Sequence, residues 1–323
     1  MLKSDGLRRV TTFAAGLVLA ALVVLWVVRP AEAAFPGANG LIVFASNMTT
    51  GTGVNNPTGD YEIFTMTPEG ASVTQLTTNT AFDFAPAWSP DGTQIAFQTD
   101  RDGDYEVYTM DANGDNQTNI SNDDAAFDFA PAWSPNGQKI AFCNDQVVPP
   151  FNTDVYKMDT NPATDDAIQL TDDDAWDCEP AWSPNGKKIA FTSQRGDGDL
   201  DIYVMSASGS NEALRTKSPD DDKQPSWSPN GRKIAFVSNR FDPSVNQSDL
   251  EIYVMNADGT RQRNRTKNTA ADHNPAFSPD GKRIVYVSET DFEIYTMNSD
   301  GSNQTNRTNN TAYDDSPDWQ PLR

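Results

Sequence analysis

Asp83-Phe-Ala-Pro-Ala-Trp-Ser-Pro-Asp-Gly92, followed by Thr93-Gln-Ile-Ala-Phe97 and then Asp104-Tyr-Glu-Val-Tyr-Thr-Met110, contains the unit that decides the fold. Its opening, Asp-x-x-Pro-x-aromatic, begins again at Asp128, Asp177, Asp222, Asp272 and Asp314, with Pro131, Pro180, Pro225, Pro275 and Pro317 in register with Pro86. The copies are 42 to 50 residues apart. A unit that short cannot bury an apolar face until a neighbouring copy stacks on it, so the period specifies a repeat architecture.

Within one copy, four strand-like pieces are separated by turn signals. Pro86-Ala-Trp88 leads into Ser89-Pro-Asp-Gly92, whose Pro and Gly suit a tight turn. Thr93 to Phe97 is a short apolar strand, and Asp104 to Met110 alternates β-branched and aromatic residues. Asp111-Ala-Asn-Gly114 turns the chain into a fourth piece, Asn116 to Ser121. Third pieces recur as Glu62-Ile-Phe-Thr-Met66, Asp154-Val-Tyr-Lys-Met158, Asp201-Ile-Tyr-Val-Met205, Glu251-Ile-Tyr-Val-Met255 and Glu293-Ile-Tyr-Thr-Met297. The pattern therefore predicts an all-β fold, a six-bladed propeller of four-stranded antiparallel blades over residues 34–323. Trp88, Trp133, Trp182, Trp227, Phe277 and Trp319 are expected between blades, with the recurrent Met as core filler.

The two ends imply how the ring closes. Gly40-Leu-Ile-Val-Phe44 matches a second strand without a first, whereas Asp314-Asp-Ser-Pro-Asp-Trp319 is a first strand without a second. Pairing the C-terminal strand with the N-terminal blade removes the open edge. On the outermost pieces, Gln75-Leu-Thr77 and Gln169-Leu-Thr171 give way to Asn264-Arg-Thr266 and Asn306-Arg-Thr308. The arginines read as charges that guard exposed edges.

Residues 1–33 read as an export signal. Lys3, Arg8 and Arg9 precede 16 uncharged residues from Phe13 to Val28, and Ala31-Glu-Ala33 supplies the small residues of a cleavage site. An uncleaved anchor is the alternative, since the apolar run is slightly short of a bilayer span. The protein is thus expected in the periplasm or outside the cell. Its net charge of −22 becomes −24 once four basic and two acidic leader residues are removed. Such a surface repels nucleic acid and acidic lipid, and favours basic partners. Monomeric behaviour is expected, with no membrane contact beyond the leader. Cys143 follows Lys139-Ile-Ala-Phe142, and Cys178 lies in Asp177-Cys-Glu-Pro180. The end of a second strand and the start of the next blade's first strand share one face of a propeller, so a Cys143–Cys178 bridge is feasible; two buried thiols are the alternative.

If the six motif aspartates start innermost strands, Asp83, Asp128, Asp177, Asp222, Asp272 and Asp314 ring one channel mouth. Unpaired, they would repel one another and would bind a cation, protons or basic side chains. No cofactor is required, but oxygen-only ligands at the ring would favour calcium or magnesium over transition metals. Alternatively, each Asp takes a nearby backbone N–H and stabilises the turn before Pro. His273, the sole histidine, belongs to the mouth set as a ligand candidate; a lone loop histidine ordinarily faces solvent, and one cannot build a multi-His zinc site. Arg101, Arg195 and Arg240 recur beside the acidic loops Asp100-Arg-Asp-Gly-Asp104 and Gly196-Asp-Gly-Asp199, and are expected to pair with carboxylates of neighbouring blades.

Pro-Ala-Trp-Ser-Pro-Asp/Asn-Gly, Lys-Ile-Ala-Phe and Ile-Tyr-x-Met together resemble the TolB-type propeller repeat, over residues 35–321. The resemblance implies a periplasmic six-bladed propeller whose channel mouth receives a protein partner. TolB carries an α/β domain ahead of its propeller, whereas here the first blade follows the leader, so the Tol–Pal role itself is not expected. Regulatory propellers of prolyl-oligopeptidase-like enzymes share the repeat, yet no Gly-x-Ser-x-Gly elbow occurs in this sequence. The expected function is non-catalytic binding of a protein, peptide or small ligand at the mouth. The alternative is a carbohydrate-active hydrolase or lyase that uses a pair of channel aspartates. Related pectate-type lyases use clustered histidines with a metal, and the single His273 departs from that pattern.

Overall fold

The computed structural model describes residues 34–122, 126–146, 152–161, 167–196, 198–241, 243 and 248–322. The leader and anchor readings of residues 1–33 lie outside them. Strands form where β-branched and aromatic residues alternate, and the Ser-Pro-Asp/Asn-Gly segments make the tight turns. In each such turn the Gly N–H returns to the Ser carbonyl, as from Gly92 to Ser89 at 2.9 Å and Gly231 to Ser228 at 2.8 Å.

Six four-stranded antiparallel sheets result. Blade 2 runs outward through Asp83–Trp88, Gln94–Thr99, Glu106–Asp111 and Thr118–Asn119. Blades 3 to 6 repeat the order from the innermost strands Ala126–Trp133, Asp177–Trp182, Asp222–Trp227 and Asp272–Phe277. Blade 1 is composite: Asp314–Leu322 lies innermost, followed by Ala38–Ser46, Glu62–Met66 and Thr74–Gln75. Second and third strands pair aromatic against aromatic, as Phe97 with Tyr108, Phe191 with Tyr203 and Phe236 with Tyr253, centroids 5.6 to 5.9 Å apart. The expected aromatics and methionines are buried between blades, and the Trp133 and Trp227 indoles donate to the Ala87 and Ala181 carbonyls of the preceding blades, both at 3.2 Å.

Every innermost strand bulges at the residue before its proline. Ala85, Ala130, Glu179, Gln224, Asn274 and Ser316 have φ of 53°, 53°, 55°, 56°, 52° and 50°, in the left-handed region that L-residues rarely adopt. The pairing register shifts at these points, for example between Phe84 and Ala87. Proline suits the next position because a bulge interrupts the ladder, and a residue without an N–H leaves no donor stranded there.

Ring closure follows the expected route. Asp314–Leu322 pairs antiparallel with Ala38–Ser46, from Ser46 opposite Asp314 to Ala38 opposite Leu322. The same strand contacts the innermost strands of blades 2 and 6. Asp318, which stands where other copies have Ala or Ser, accepts the Trp88 N–H at 2.8 Å, and Gln320 donates to the Gly92 carbonyl at 2.8 Å. Cys143 and Cys178 are disulfide-bonded, with Cα atoms 5.2 Å apart, tying blade 3 to blade 4.

At the periphery, the turn between third and outermost strands presses on the neighbouring blade. A Cβ on Gly301 would lie 2.5 Å from the Arg265 carbonyl oxygen, and one on Gly114 2.6 Å from that of Leu76, so only glycine permits the approach. Arg215, Arg265 and Arg307 occupy these seams half-buried, where Leu76, Ile120 and Leu170 stand in blades 1 to 3. The edge-guarding role read from sequence is therefore incomplete: the charges lie in a groove between blades because the neighbouring turn covers the strand.

Deleting Asp314 to Arg323 should abolish the single cooperative melting transition, since blade 1 loses its innermost strand and the ring its seal; an unchanged transition would count against this closure. Cys143→Ser should lower unfolding free energy by about 3–4 kcal/mol, the loop-entropy estimate for a bridge of 35-residue separation, measured by chemical denaturation.

Candidate functional site

The two ends of the ring differ. Ala34 and Phe35 are 5% exposed; Phe35 packs with Trp133 and Trp182, whereas Ala34 packs with residues of blades 5 and 6 and donates its N–H to the Trp227 carbonyl at 3.3 Å. The segment thus runs from blade 5 to blade 6, where the Gly37 N–H meets the Pro279 carbonyl at 3.3 Å, with the Phe35 side chain at the end where the tryptophans lie. The opposite end, where the innermost strands begin, carries the motif aspartates and the acidic loops.

The motif aspartates start strands, as expected, but they are not an open ring of unpaired carboxylates. All six are at most 2% exposed. Asp83 takes the Arg101 guanidinium at 3.0 Å, and Asp177 and Asp222 take Arg195 and Arg240. Asp128 accepts from Asn144 at 2.7 Å, Asp272 from Asn268 at 2.6 Å and Asp314 from Asn310 at 2.7 Å. The bonds are made to side chains rather than to the backbone N–H two residues on. Each arginine pairs with the motif Asp of its own blade, because the loop that bears it follows the strand paired to it, and Arg195 also meets Asp173, in the segment leaving blade 3, at 2.8 Å. Each guanidinium spans its blade over two rings: Arg101 lies 5.4 Å from the Phe97 centroid and 4.8 Å from that of Tyr108, and reaches Gln117 near the outermost strand.

Sequence reasoning passed over a second buried carboxylate in each blade, at the start of the third strand: Glu62, Glu106, Asp201, Glu251 and Glu293 are first residues, and Asp154 is the second residue of Thr153–Asp159. Thr171 and Thr216 donate to Asp154 and Asp201 at 2.8 and 2.9 Å, and Ser121, Thr266 and Thr308 donate likewise to Glu106, Glu251 and Glu293. The same hydroxyls accept the next backbone N–H of the third strand, as from Ile252 to Thr266 at 3.0 Å. The signal was present in the repeated Glu/Asp before Ile/Val and Tyr/Phe, and in the Thr/Ser after Leu, Ile or Arg. Burial first, then the nearby motif Asp, raises the Glu62 carboxyl to about 8 and those of Glu251 and Glu293 to about 7. Burial also lifts Asp177 and Asp272 to about 6, Arg195 opposing the rise at Asp177 and Ser288 and Asn268 at Asp272.

Around the channel, the bulge residues form a polar arc over blades 4, 5, 6 and 1. The Gln224 N–H donates to Glu179 Oε2 at 2.9 Å, the Asn274 N–H to Gln224 Oε1 at 3.0 Å, and the Ser316 N–H to Asp315 Oδ1 at 2.6 Å. Over blades 2 and 3 the positions are Ala85 and Ala130. His273 is not the solvated loop residue expected of a lone histidine. It lies in the innermost strand of blade 6, 1% exposed, with Nε2 3.9 Å from both Glu289 Oε1 and Asp315 Oδ2. Among the described residues no group of three His, Cys, Asp or Glu is arranged to hold a metal ion.

Outside this arc, the open end has an aromatic rim. Tyr61 meets Phe82 at 6.3 Å and Phe84 at 5.1 Å, Tyr105 meets Phe127 at 6.4 Å, and Phe292 meets Tyr313 at 4.8 Å. Phe82 is 36% and Tyr313 50% exposed, more than rings committed to a core. In the corresponding positions of the opposite side stand Leu200, Asp221, Leu250 and Ala271. Charge is similarly uneven: residues 34–186 carry 24 acidic and 3 basic side chains, residues 187–323 carry 20 and 17. The aromatic rim and most of the acidic excess share one side of the molecule.

The model of the TolB beta propeller domain family matches residues 25–128 and 123–245. TolB from Acinetobacter baumannii superposes with a TM-score of 0.73 at 23% identity, over 87% of this chain and 67% of that one. A putative TolB from Agrobacterium tumefaciens gives 0.64 at 19%, over 88% of this chain and all of that one. An oligogalacturonate lyase in complex with manganese gives 0.58 at 16%, over 86% of this chain and 77% of that one.

The buried carboxylates set a pH dependence whose sign is opposite to the usual one. Glu62, Glu251 and Glu293 bind protons more tightly folded than unfolded, where carboxyls titrate near ~4.3. Their contribution to stability is complete below that value and is lost as pH rises through the folded values of about 7 to about 8. The melting temperature should fall between pH 5 and pH 8.5 in scanning calorimetry, and Glu62→Gln should flatten the decline. A melting temperature that climbs over this range would contradict the assignment.

Proposed function

Because this chain belongs to the TolB beta propeller domain family, we propose that it is an exported, non-catalytic propeller that captures a protein or peptide at the open end of its ring. The observation that carries the reading is the aromatic rim on the acidic side of that end, with Phe82 and Tyr313 exposed. Aromatic rings supply contact area at low entropic cost and attract cations over their faces. The surrounding negative field raises the encounter rate of a basic partner. The partner class is therefore an envelope or extracellular protein that presents Lys or Arg beside apolar side chains. The leader reading of residues 1–33 supports a place in the envelope or outside the cell.

Calcium is a weaker element of this reading. Three of the six aspartates that would form an oxygen cage already hold guanidinium groups and three hold asparagine amides. A hydrolase or lyase using the same aspartates would first have to break those bonds. Both considerations favour capture over chemistry at the ring.

Phe82→Ala combined with Asp102→Lys removes an exposed rim ring and reverses a charge in the neighbouring acidic loop, at the loss of the Tyr108 hydroxyl bond to Asp102. Immobilised wild-type protein should retain a basic protein from envelope extracts and release it as ionic strength is raised toward ~0.5 M, where the Debye length falls well below its physiological ~8 Å. The double variant, folded by circular dichroism, should retain several-fold less. Equal retention by both proteins would sink the reading.

A further inference from the structure

We propose that the groove between blades 5 and 6, on the flank of the ring and apart from its mouth, binds a short oligosaccharide that carries carboxylate groups. The groove encloses about 660 Å³ and is lined by Phe241, Tyr253, Arg263, Arg265, Lys267 and Gln304, among others. That volume is in the range of small-molecule sites.

The charge of this groove is anomalous for a chain of net −22. Arg101, Arg195 and Arg240 are each held by an aspartate. Among the described residues, no carboxylate lies within salt-bridge reach of Arg263, Arg265 or Lys267. Among the described lining residues the one acid, Asp300, directs its carboxylate to its own turn, accepting from the Ser302 N–H at 3.0 Å and hydroxyl at 2.7 Å. Its direct hydrogen bond to Arg265 is through its main-chain carbonyl, 3.2 Å from Nη1, and its carboxylate acts on Arg265 only through space, without a salt bridge. Arg265 Nε is buried with no hydrogen-bond partner. Burial, and then the like charge of Arg263, hold the Arg265 guanidinium below its ordinary pKa. Cations that repel one another and have no salt-bridge partner among the described residues favour an anion, and a guanidinium edge receives a carboxylate through two parallel hydrogen bonds.

The remaining lining distinguishes among anions. Phe241 is 54% exposed, a flat apolar face beside the cations, suited to the C–H face of a pyranose ring and without use for bare phosphate. The Gln304 amide nitrogen is engaged by main-chain carbonyls of Arg265, Thr266 and Gly301, at 3.3 to 3.4 Å, which fixes the side chain and leaves its oxygen to accept from a hydroxyl. A long polyanion would run onto the acidic remainder of the surface, so the ligand is short.

Isothermal titration calorimetry of the full chain tests this with four probes: a hexuronic-acid trisaccharide, the neutral hexose trisaccharide of the same linkage, inorganic phosphate, and a Glu-rich hexapeptide. The uronate should bind and the others should bind more weakly or not at all. Arg263→Gln with Lys267→Gln, both exposed and outside the core, should weaken uronate binding by about tenfold or more, the loss expected for removing charge-assisted bonds. Phe241→Ala should weaken uronate alone. The rim variant Phe82→Ala/Asp102→Lys should bind uronate as the wild type does, which separates this site from the mouth. Absence of uronate binding, equal affinity for the neutral sugar, phosphate or peptide affinity matching the uronate's, or wild-type affinity in the Arg263→Gln/Lys267→Gln protein each overturns the proposal.

Discussion

A four-stranded blade with apolar residues on both faces can bury neither face alone, and this constraint governs the whole molecule. Trp88, Trp133, Trp182, Trp227, Phe277 and Trp319 each close a seam with an adjacent blade, so no blade is complete without two neighbours. A linear stack would leave two apolar faces in water; closure into a ring leaves none. The composite first blade follows from that need. Its innermost strand comes from the far end of the chain, and the buried Asp318 fastens it to blade 2 through the Trp88 N–H. Burial raises the Asp318 carboxyl to about 7, so the seal carries a carboxyl held well above its ordinary range.

The fold was legible because its determinants are local and repeated. Pro, Gly and aromatic residues at fixed offsets have one conformational meaning each, and six copies exclude accident. The geometry at the aspartates was not legible, for a reason that lies in the bulge. Period-two alternation counted back from Trp88 puts Ala87, Ala85 and Asp83 on one side of the strand. The left-handed residue at Ala85 inserts an extra position, so the alternation changes side between Phe84 and Ala87. Asp83 is thereby placed beside Arg101 in the blade's own upper edge. Nothing in Asp-x-x-Pro announces a bulge when its third residue is Ala, Glu, Gln, Asn or Ser rather than Gly. His273 was misplaced by the same omission: as the residue before the bulge it is in a strand, enclosed by Glu289 and Asp315, and not in a loop.

The repeat also shows how one scaffold position takes different work in different blades. At the bulge, Ala in blades 2 and 3 gives way to Glu179, Gln224 and Asn274 in blades 4 to 6, and the channel becomes polar on that side. On the outermost strand, Leu76, Ile120 and Leu170 give way to Arg215, Arg265 and Arg307 over the same blades and the first seam beyond them. Apolar seams in one half thus accompany a bare, aromatic, acidic rim, whereas the other half carries polar channel residues and cationic seams. The backbone is nearly six-fold, but the chemistry is two-fold.

That division bears on what the molecule can hold at once. Attraction of a basic partner to the aromatic rim depends on the 24 acidic residues of the first half, against only 3 basic ones there. Those charges disfavour an anion anywhere nearby, since exposed charges are felt over a Debye length of about 8 Å at physiological ionic strength. An anion site can persist only where the field is locally reversed and the separation exceeds that length. The seam between blades 5 and 6 meets the first condition through Arg263, Arg265 and Lys267, and the second through its place on the outer flank, across the ring from the Phe82 and Phe127 side of the rim. Partners of opposite charge can therefore be accommodated on one small domain without competing, because the ring keeps their fields apart.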